Sequence, residues 1–479
     1  MEPLTWTGVL SPLNYLLGLS FLAFAIAVIA QIIFSFVPRE AGYNVNADGT
    51  IAASTGPHET VASAMRLAAL AIAGTLLLYI IGGMIMGKAG GNIGWMMQRL
   101  TPTWIALVVT FAVSIVYRRK LGLYGKLFDS PIGMFGFGLV MFWVFTAFFA
   151  GVFDWIITHD PLSQVSGMKN KAPGTPLRGV EEGYTHYLLG GDNLARDIFS
   201  RMISGSTIVI QIAPLATLFA FMVGITLGLP AGYFGGKLDT ILSFLANLIL
   251  AFPVILLFYL LVTPEIRATG LPTYMAMVLF LFPIVFLGVL LNSRFYTRPK
   301  LNTPLLAIVL GVAIILYASF INEDGGVIDI LGPLDLFDVP GGLLTVFVSV
   351  VFVNSPTVFR IVRGLALDIK TRDYVAAAQT RGERTWYIML WEILPNARGP
   401  LIVDFCLRIG YTTILLGTLG FFGLGLPPES PDWGTMINDG RKLLSIYLHP
   451  ALPPALALLS LVLGLNLLAD GLREESLKD

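Results

Sequence analysis

Apolar residues recur along this chain in long runs separated by shorter polar stretches. Each run approaches the roughly 20 residues that a helix needs to cross a bilayer. The runs fall at 14–37, 66–87, 102–118, 133–156, 207–233, 239–263, 273–292, 304–321, 342–365, 400–425 and 450–470. The pattern predicts an all-α integral membrane protein of about 11 transmembrane helices, two of them short enough to be partly interfacial.

The polar stretches set an orientation, because Lys and Arg collect on the cytoplasmic side. "SRFYTRPKLN" at 293–302 carries Arg294, Arg298 and Lys300 and no acid, and "YRRKLGLYGKLFD" at 117–129 is also basic; both are expected inside. "INEDGGVIDILGPLDLFD" at 321–338 has only acids and is expected outside. The same parity puts 366–399 inside and both the loop 157–205 and the N-terminus outside, with Lys88 and Arg99 as exceptions to the rule. The start, "MEPLTWTG", has no basic region, so the first run is expected to act as an uncleaved signal.

Composition agrees with the pattern. Of 479 residues, 56% are hydrophobic and 13% charged, where soluble domains have about a quarter charged. Lys+Arg and Asp+Glu balance at 30 each, which leaves no overall basic excess for nucleic acid. Cys406 is the only cysteine and cannot form an internal disulfide. His58, His159, His186 and His449 lack metal-ligand spacing. No catalytic cluster points to an enzyme. No matching halves or midplane acids point to an ion-coupled carrier. "GGMIMGKA" at 82–89 satisfies Gly-x-x-x-x-Gly-Lys, but Ala89 stands where a magnesium-binding hydroxyl belongs. It ends an apolar run and reads as a span end with an interfacial lysine.

Polar residues inside spans mark either a path or helix packing. Asp404 and Arg408, four apart, are expected to pair on one helix face as a neutralised pair. Asn247, Thr412 and Thr413 line a cavity or pack on a neighbour. Pro253 should kink its helix and is a candidate for a gate. In the outer loop, a helix lying on the membrane surface is expected over 192–204, with Asp192 as N-cap. Leu194, Ile198, Met202 and Ile203 then share one face, with Arg196, Asp197 and Arg201 elsewhere.

One polar segment stands between two spans: "RDYVAAAQTRGERTWYIMLWEILPN" at 372–396. Val375, Ala376, Ala378 and Gln379 have helical spacing, Gly382 permits a turn, and "TWYIMLWEIL" resumes a helix that Pro395 closes. On physical grounds it is either a docking element for another protein or a loop packed on the chain's own helices.

The segment resembles the EAA loop of ATP-binding-cassette importer permeases, in "AAAQTRG" followed by "EILPN". It is most similar to the C-type permease of the dipeptide/oligopeptide family. "LGGDNLARDIFSR" (189–201), "AGYFGGKLD" (231–239), "LAFP" (250–253), "GFFGLGLPPESPDWGTMINDGR" (420–441) and "LNLLADGLRE" (465–474) fit that family in the same order. The resemblance covers roughly 133–475 apart from 265–340. Ala376 stands where the family usually has Glu, Gly191 where it has Thr, and Ala195 where it has Gly. Three extra spans precede residue 133 and two more interrupt the core.

The resemblance implies a type I importer permease core with added spans. Residues 1–132 form an extra N-terminal region, 133–264 the first core part, 265–340 an inserted pair of spans, and 341–475 the second core part with the coupling loop 366–399. The inserted spans are expected at the lipid-facing periphery, without touching the path. The implied function is a non-catalytic, multi-pass subunit of the cell membrane that imports di- or oligopeptides, with oligosaccharides and then nickel as alternatives. The implied partners are a second homologous permease, two cytoplasmic ATPases that hold ATP and magnesium, and an external binding protein; the chain itself is expected to bind no cofactor. Asp373, Ala377, Ala378, Arg381, Gly382 and Arg384 carry the implied ATPase contact. Asn247, Pro253, Asp404, Arg408 and Thr412 are path candidates, and Asp192, Arg196, Asp432 and Trp433 are candidates for touching the binding protein.

Overall fold

The computed structural model describes residues 2–36, 43–45, 51–53, 57–321, 341–424 and 430–476. The acidic stretch 321–338 lies outside the described residues beyond Ile321, as do 427–429. Ten described helices are long and apolar enough to cross a membrane, and eleven with one bent pair. The all-α membrane architecture is therefore the one the apolar runs predict.

The chain divides into two compact units, 1–102 with 163–199, and 103–162 with 200–479. The sequence reading groups the third N-terminal span with the first two and the outer loop with the core; the structure groups both the other way.

In the first unit, α1 (Pro12–Ser35) packs on α2 (Pro57–Met86), and a short α3 (Gly91–Arg99) follows. Pro12 at the first turn suits α1, because a helix start has no use for that N–H. The outer loop carries a two-residue antiparallel ladder with Thr175 opposite Tyr187. Two contacts tie it to the N-terminal segment and α3: Leu4 N donates to Gly174 O at 2.9 Å, and Trp95 stacks on Tyr184 at 4.7 Å; Asn92 N, donating to Thr5 O at 3.0 Å, joins α3 to the N-terminal segment. Lys88 lies over the Trp95 ring at 5.0 Å, so the Gly-x-x-x-x-Gly-Lys stretch is a span end braced by aromatic rings.

In the second unit, α4 (Thr101–Tyr117) and α5 (Pro131–Phe153) precede the core. Ser130 caps α5 by accepting from Gly133 N at 3.2 Å. Then come α6 (Ile198–Phe234), α7 (Gly236–Leu250), α8 (Val254–Val262), α9 (Leu271–Leu279), α10 (Leu281–Phe295) and α11 (Pro299–Ile321). The last group is α12 (Gly341–Ile369), α13 (Asp373–Thr380), α14 (Arg398–Phe421), α15 (Trp433–Arg441) and α16 (Leu452–Ser476).

The core of this unit centres on α12. Of its apolar window 83% is buried, against at most 50% for any other span. Val346, Val348, Val350, Val351 and Val353 meet Ala213, Ala216 and Val223 of α6 and Leu415, Leu416 and Leu419 of α14. Small residues bring α6 and α12 close, as membrane helices without a hydrophobic driving force require. A Cβ on Gly224 would lie 2.7 Å from Val358 Cβ, and one on Gly228 or Gly232 would meet the carbonyl oxygens of Phe359 or Arg363 at 2.9 and 2.6 Å. Likewise, a Cβ on Gly136 of α5 would meet Leu468 N of α16 at 2.4 Å.

Three expectations need correction. No surface helix covers 192–204: α6 begins at Ile198 and runs 37 residues to Phe234. The residues before it form an irregular knot in which Asp192 Oδ1 accepts from Leu194 N and Arg196 N, both at 2.8 Å. Ile198 and Ile203 are buried as expected, but so are Arg196, Asp197 and Arg201, while Leu194 is exposed. The run 239–263 is not one kinked span but two helices, α7 and α8, bent by 81°. Pro253 sits just before α8, with extended backbone, and so separates two helices instead of kinking one. The inserted spans are not merely peripheral: Ala276 and Phe280 are buried in the core, with Phe280 against Phe219 at 5.2 Å and Phe347 at 5.6 Å.

Candidate coupling surface and transport path

The segment after α12 folds as the sequence suggests: helix α13, a turn at Gly382, then a second helical stretch from Thr385. Gly382 has φ of +77°, a region that costs an L side chain about 1–2 kcal/mol. A Cβ there would meet nothing within 4 Å, so the demand for glycine comes from the backbone and not from crowding. The second stretch includes a π-helical turn, Ile388–Ile393, and runs on past Pro395 as Leu394–Asn396.

The inner face of this segment is core. Val375, Ala378, Ile388, Met389, Leu390 and Ile393 are buried against Phe221, Leu229, Val358 and Val362 of α6 and α12. Its base is pinned to the end of α6: Lys370 Nζ donates to Gly232 O at 2.8 Å, and Gln379 Nε2 to Tyr233 Oη at 3.0 Å. Arg381 pairs with Glu392 at 2.9 Å across the turn. Asp373, Ala376, Ala377, Arg381, Gly382 and Arg384 are exposed. Ala378 is 0% exposed and cannot touch a partner; its small size serves packing on the chain itself. Tyr374 and Trp386, 39% and 38% exposed, complete the outer face. The sequence reading missed both, although two aromatic residues among charges on a short polar-loop helix are a usable signal.

Of the path candidates, Asp404 and Arg408 are brought together at 2.6 Å, and Arg408 also donates to Thr357 Oγ1. They are a neutralised pair packed on α12. Thr412 is 0% exposed, accepts from Asn354 Nδ2 at 3.3 Å and lies 3.3 Å from Thr217 Oγ1. It joins α6, α12 and α14. Asn247 is exposed and accepts from Arg360 Nη2 at 2.9 Å. Arg363, one turn further along α12, pairs with Asp239 of α7. These two arginines were missed in the sequence; "VFRIVRG" inside an apolar run was the signal for them.

The four candidates for a binding-protein contact are all buried: Asp192 at 7%, Arg196 at 4%, Asp432 at 3% and Trp433 at 0% exposed. Asp192 and Arg196 form an ion pair at 2.7 Å. Asp432 caps α15, accepting from Gly434 N at 3.0 Å and Thr435 N at 2.9 Å. Burial pushes its carboxyl up from the ordinary range, against the pull of those N–H groups and the Arg201 charge. Trp433 donates to Met202 O at 2.8 Å and meets Trp143 edge-on at 4.9 Å. Arg201 reaches the carbonyls of Pro161 and Ser430 at 3.3 and 3.4 Å. All are side chains that hold loops in place. Burial also lowers the His186 imidazole, despite its contact with Glu2 O at 3.1 Å. Among the described residues, no three His, Cys, Asp or Glu side chains converge as a metal site.

The chain is a multi-pass helical bundle with a helix–turn–helix segment between two spans. The chain belongs to the family described as binding-protein-dependent transport system inner membrane component, whose model matches residues 224–474. It is 31% identical over 286 residues to a glutathione transport system permease protein of Pectobacterium atrosepticum, covering 60% of this chain and 70% of that one. It is 28% identical over 362 residues to a di/tripeptide transport system permease protein of Pseudomonas aeruginosa, covering 75% and 93%. A dipeptide transport system permease protein of Haemophilus influenzae is 29% identical over 320 residues, covering 67% and 82%. The chain is thus an importer permease of the multi-pass inner membrane class, as its ordered motifs suggest.

Proposed function

We propose that this chain is one of two membrane-spanning subunits through which an ATP-driven importer passes di- or oligopeptides. The names of its relatives, which transport dipeptides, tripeptides and glutathione, support peptides over oligosaccharides or nickel. In this reading an external binding protein delivers the peptide and two cytoplasmic ATPases hold ATP and magnesium. The chain itself catalyses nothing.

The observation that carries the reading is the two-faced segment 370–397. Its inner face is continuous with the bundle core, and its outer face presents Asp373, Tyr374, Ala377, Arg381, Gly382, Arg384 and Trp386. A motion imposed on that outer face is delivered to α6 through Lys370 and Gln379 and to α14 directly. Closure of the ATPases on ATP would bring the two permeases' segments together and turn the path outward. Two packings of the bundle then differ by only a few kcal/mol, so that ATP and substrate shift them. Small and apolar contacts carry most of the docking, since exposed ion pairs contribute about 0–1 kcal/mol each.

The test is ATP hydrolysis by the complex reconstituted in lipid with its ATPases and binding protein. Stimulation by di- or tripeptides, and not by oligosaccharides, is expected. Stimulation by oligosaccharides alone would replace the substrate class. Hydrolysis indifferent to every ligand would overturn the coupling role.

A further inference from the structure

The helix pair that the family resemblance sets apart as an insertion grips the coupling segment. Trp391 Nε1 donates to Ser293 Oγ at 3.0 Å. The Arg294 guanidinium lies over the Trp391 ring at 4.6 Å, and the Arg384 guanidinium lies over the Tyr296 ring at 4.5 Å. Phe286, Val289 and Leu290 of α10 pack on the same apolar cluster as Ile388, Leu390 and Ile393. Residues 384 and 391 lie at the start and in the π-helical turn of the second coupling stretch, about two turns apart. The end of α10 therefore holds that stretch at two points along its length. A π-helical turn is a local departure that persists where surrounding contacts hold it, and Trp391 lies inside one.

The pair is also bonded internally. Tyr317 Oη of α11 donates to Met277 O of α9 at 2.9 Å, and Asn302 Nδ2 to Asn292 Oδ1 at 3.0 Å. At its other end it is anchored on α12, through Ala276 and Phe280. Aromatic–cation contacts and hydrogen bonds of this kind are individually modest, but together they bias which position of a segment is populated.

We propose that the α9–α11 unit is a positioning element for ATPase coupling, with Ser293, Arg294 and Tyr296 as its positioning residues. It fixes the second coupling stretch, so that ATPase motion enters the bundle through α10 and α12 as well as through α14. The inference rests on the coupling role proposed above for 370–397. The added spans are thereby given work within the transport cycle, although none of their residues faces the ATPase-docking residues Asp373 or Ala377 in the contacts described.

The test changes residues on the inserted side alone, with Arg384 of the outer face kept but freed from its ring: Ser293→Ala with Arg294→Gln and Tyr296→Leu. In the complete reconstituted complex, peptide transported per ATP hydrolysed should fall by roughly five-fold, on the scale of one lost hydrogen bond. The conservative set Ser293→Thr, Arg294→Lys and Tyr296→Phe should restore most of the ratio. In the chain alone in lipid nanodiscs, amide exchange over 385–396 should quicken by a similar factor while 373–380 stays unchanged. A wild-type transport ratio in the first variant, or unchanged exchange over 385–396, overturns the proposal. Absence of peptide stimulation in the wild-type complex would instead defeat the coupling role, and the exchange measurement would still decide whether the brace exists.

Discussion

The indole N–H of Trp433 is bonded to the carbonyl oxygen of Met202 at 2.8 Å, across 231 positions of sequence. It ties the first turns of α6 to the start of α15, and the ring is fully enclosed. Trp433→Phe keeps most of the volume and removes the donor. The expected loss is about 0.5–1.5 kcal/mol, the net worth of one hydrogen bond, because the Met202 carbonyl keeps its place in the α6 helical ladder. Trp433→Ala should lose about 3–5 kcal/mol through the added cavity. Heating the detergent-solubilised variants and following loss of monodisperse protein ranks them; equal curves for wild type and Trp433→Ala would refute the structural role.

At Gly382 the strain is in the backbone alone, and the space around it is open. Asn, which tolerates left-handed backbone, should therefore leave coupling near normal. Gly382→Val should disturb the turn at a cost of about 1–2 kcal/mol and lower peptide-stimulated ATP hydrolysis while the chain still inserts. If Asn and Val prove equally harmful, the turn geometry is not what matters there.

Removing one member of a buried ion pair costs more than removing both. Arg408 and Asp404 side chains are 11% and 18% exposed. Asp404→Ala should destabilise by about 3–5 kcal/mol, whereas Asp404→Leu with Arg408→Met should recover much of that. Yield and thermal stability of purified protein report the order. A double variant worse than the single one would show that Arg408 matters chiefly through Thr357.

Ala195 has φ of +64°, in the left-handed region that favours glycine. Ala195→Gly removes the Cβ penalty and should stabilise the outer loop, by up to about 1 kcal/mol after the entropy of a freer unfolded chain is counted. Slower proteolysis of the loop 163–199 is the expected readout; faster cleavage would mean that the alanine methyl packs more than it strains.

Topology is testable at Thr297, which is exposed between α10 and α11. Thr297→Cys should react with an impermeant thiol reagent only in inside-out membranes, as the basic stretch 293–302 requires. Neighbouring Ser293 is a poor probe, being 7% exposed and bonded to Trp391. Labelling of intact cells would reverse the orientation.

The spans were legible because a bilayer demands long apolar runs, and so were the Gly382 turn and the Asp404–Arg408 pair, which depend on local spacing. Burial in the outer loop was not legible. Asp192 and Arg196 in the loop, and Asp432 and Trp433 at the start of α15, look like surface residues in sequence, yet each is buried and serves as a cap or an anchor. Gly191 shows how closely the loop packs: a Cβ there would meet Met168 O at 2.0 Å. The packing of α9 and α10 was hidden for a different reason. Lipid-facing and helix-facing surfaces are both apolar, so periodicity cannot separate them. Pro253 marked a break correctly but could not say that the chain turns by 81°.

The length of α6 has a mechanical consequence. Its 37 residues rise roughly 55 Å at helical pitch, well beyond a hydrocarbon core of about 30 Å. The loop anchors Arg201 and the Met202 carbonyl lie near one end, and the carbonyls of Gly232 and Tyr233 that receive Lys370 lie at the other. One continuous helix, with Pro214 and Pro230 inside it, thus links the two sets of contacts. The shortest covalent connection between the two sets of contacts therefore runs along one helix and through no loop.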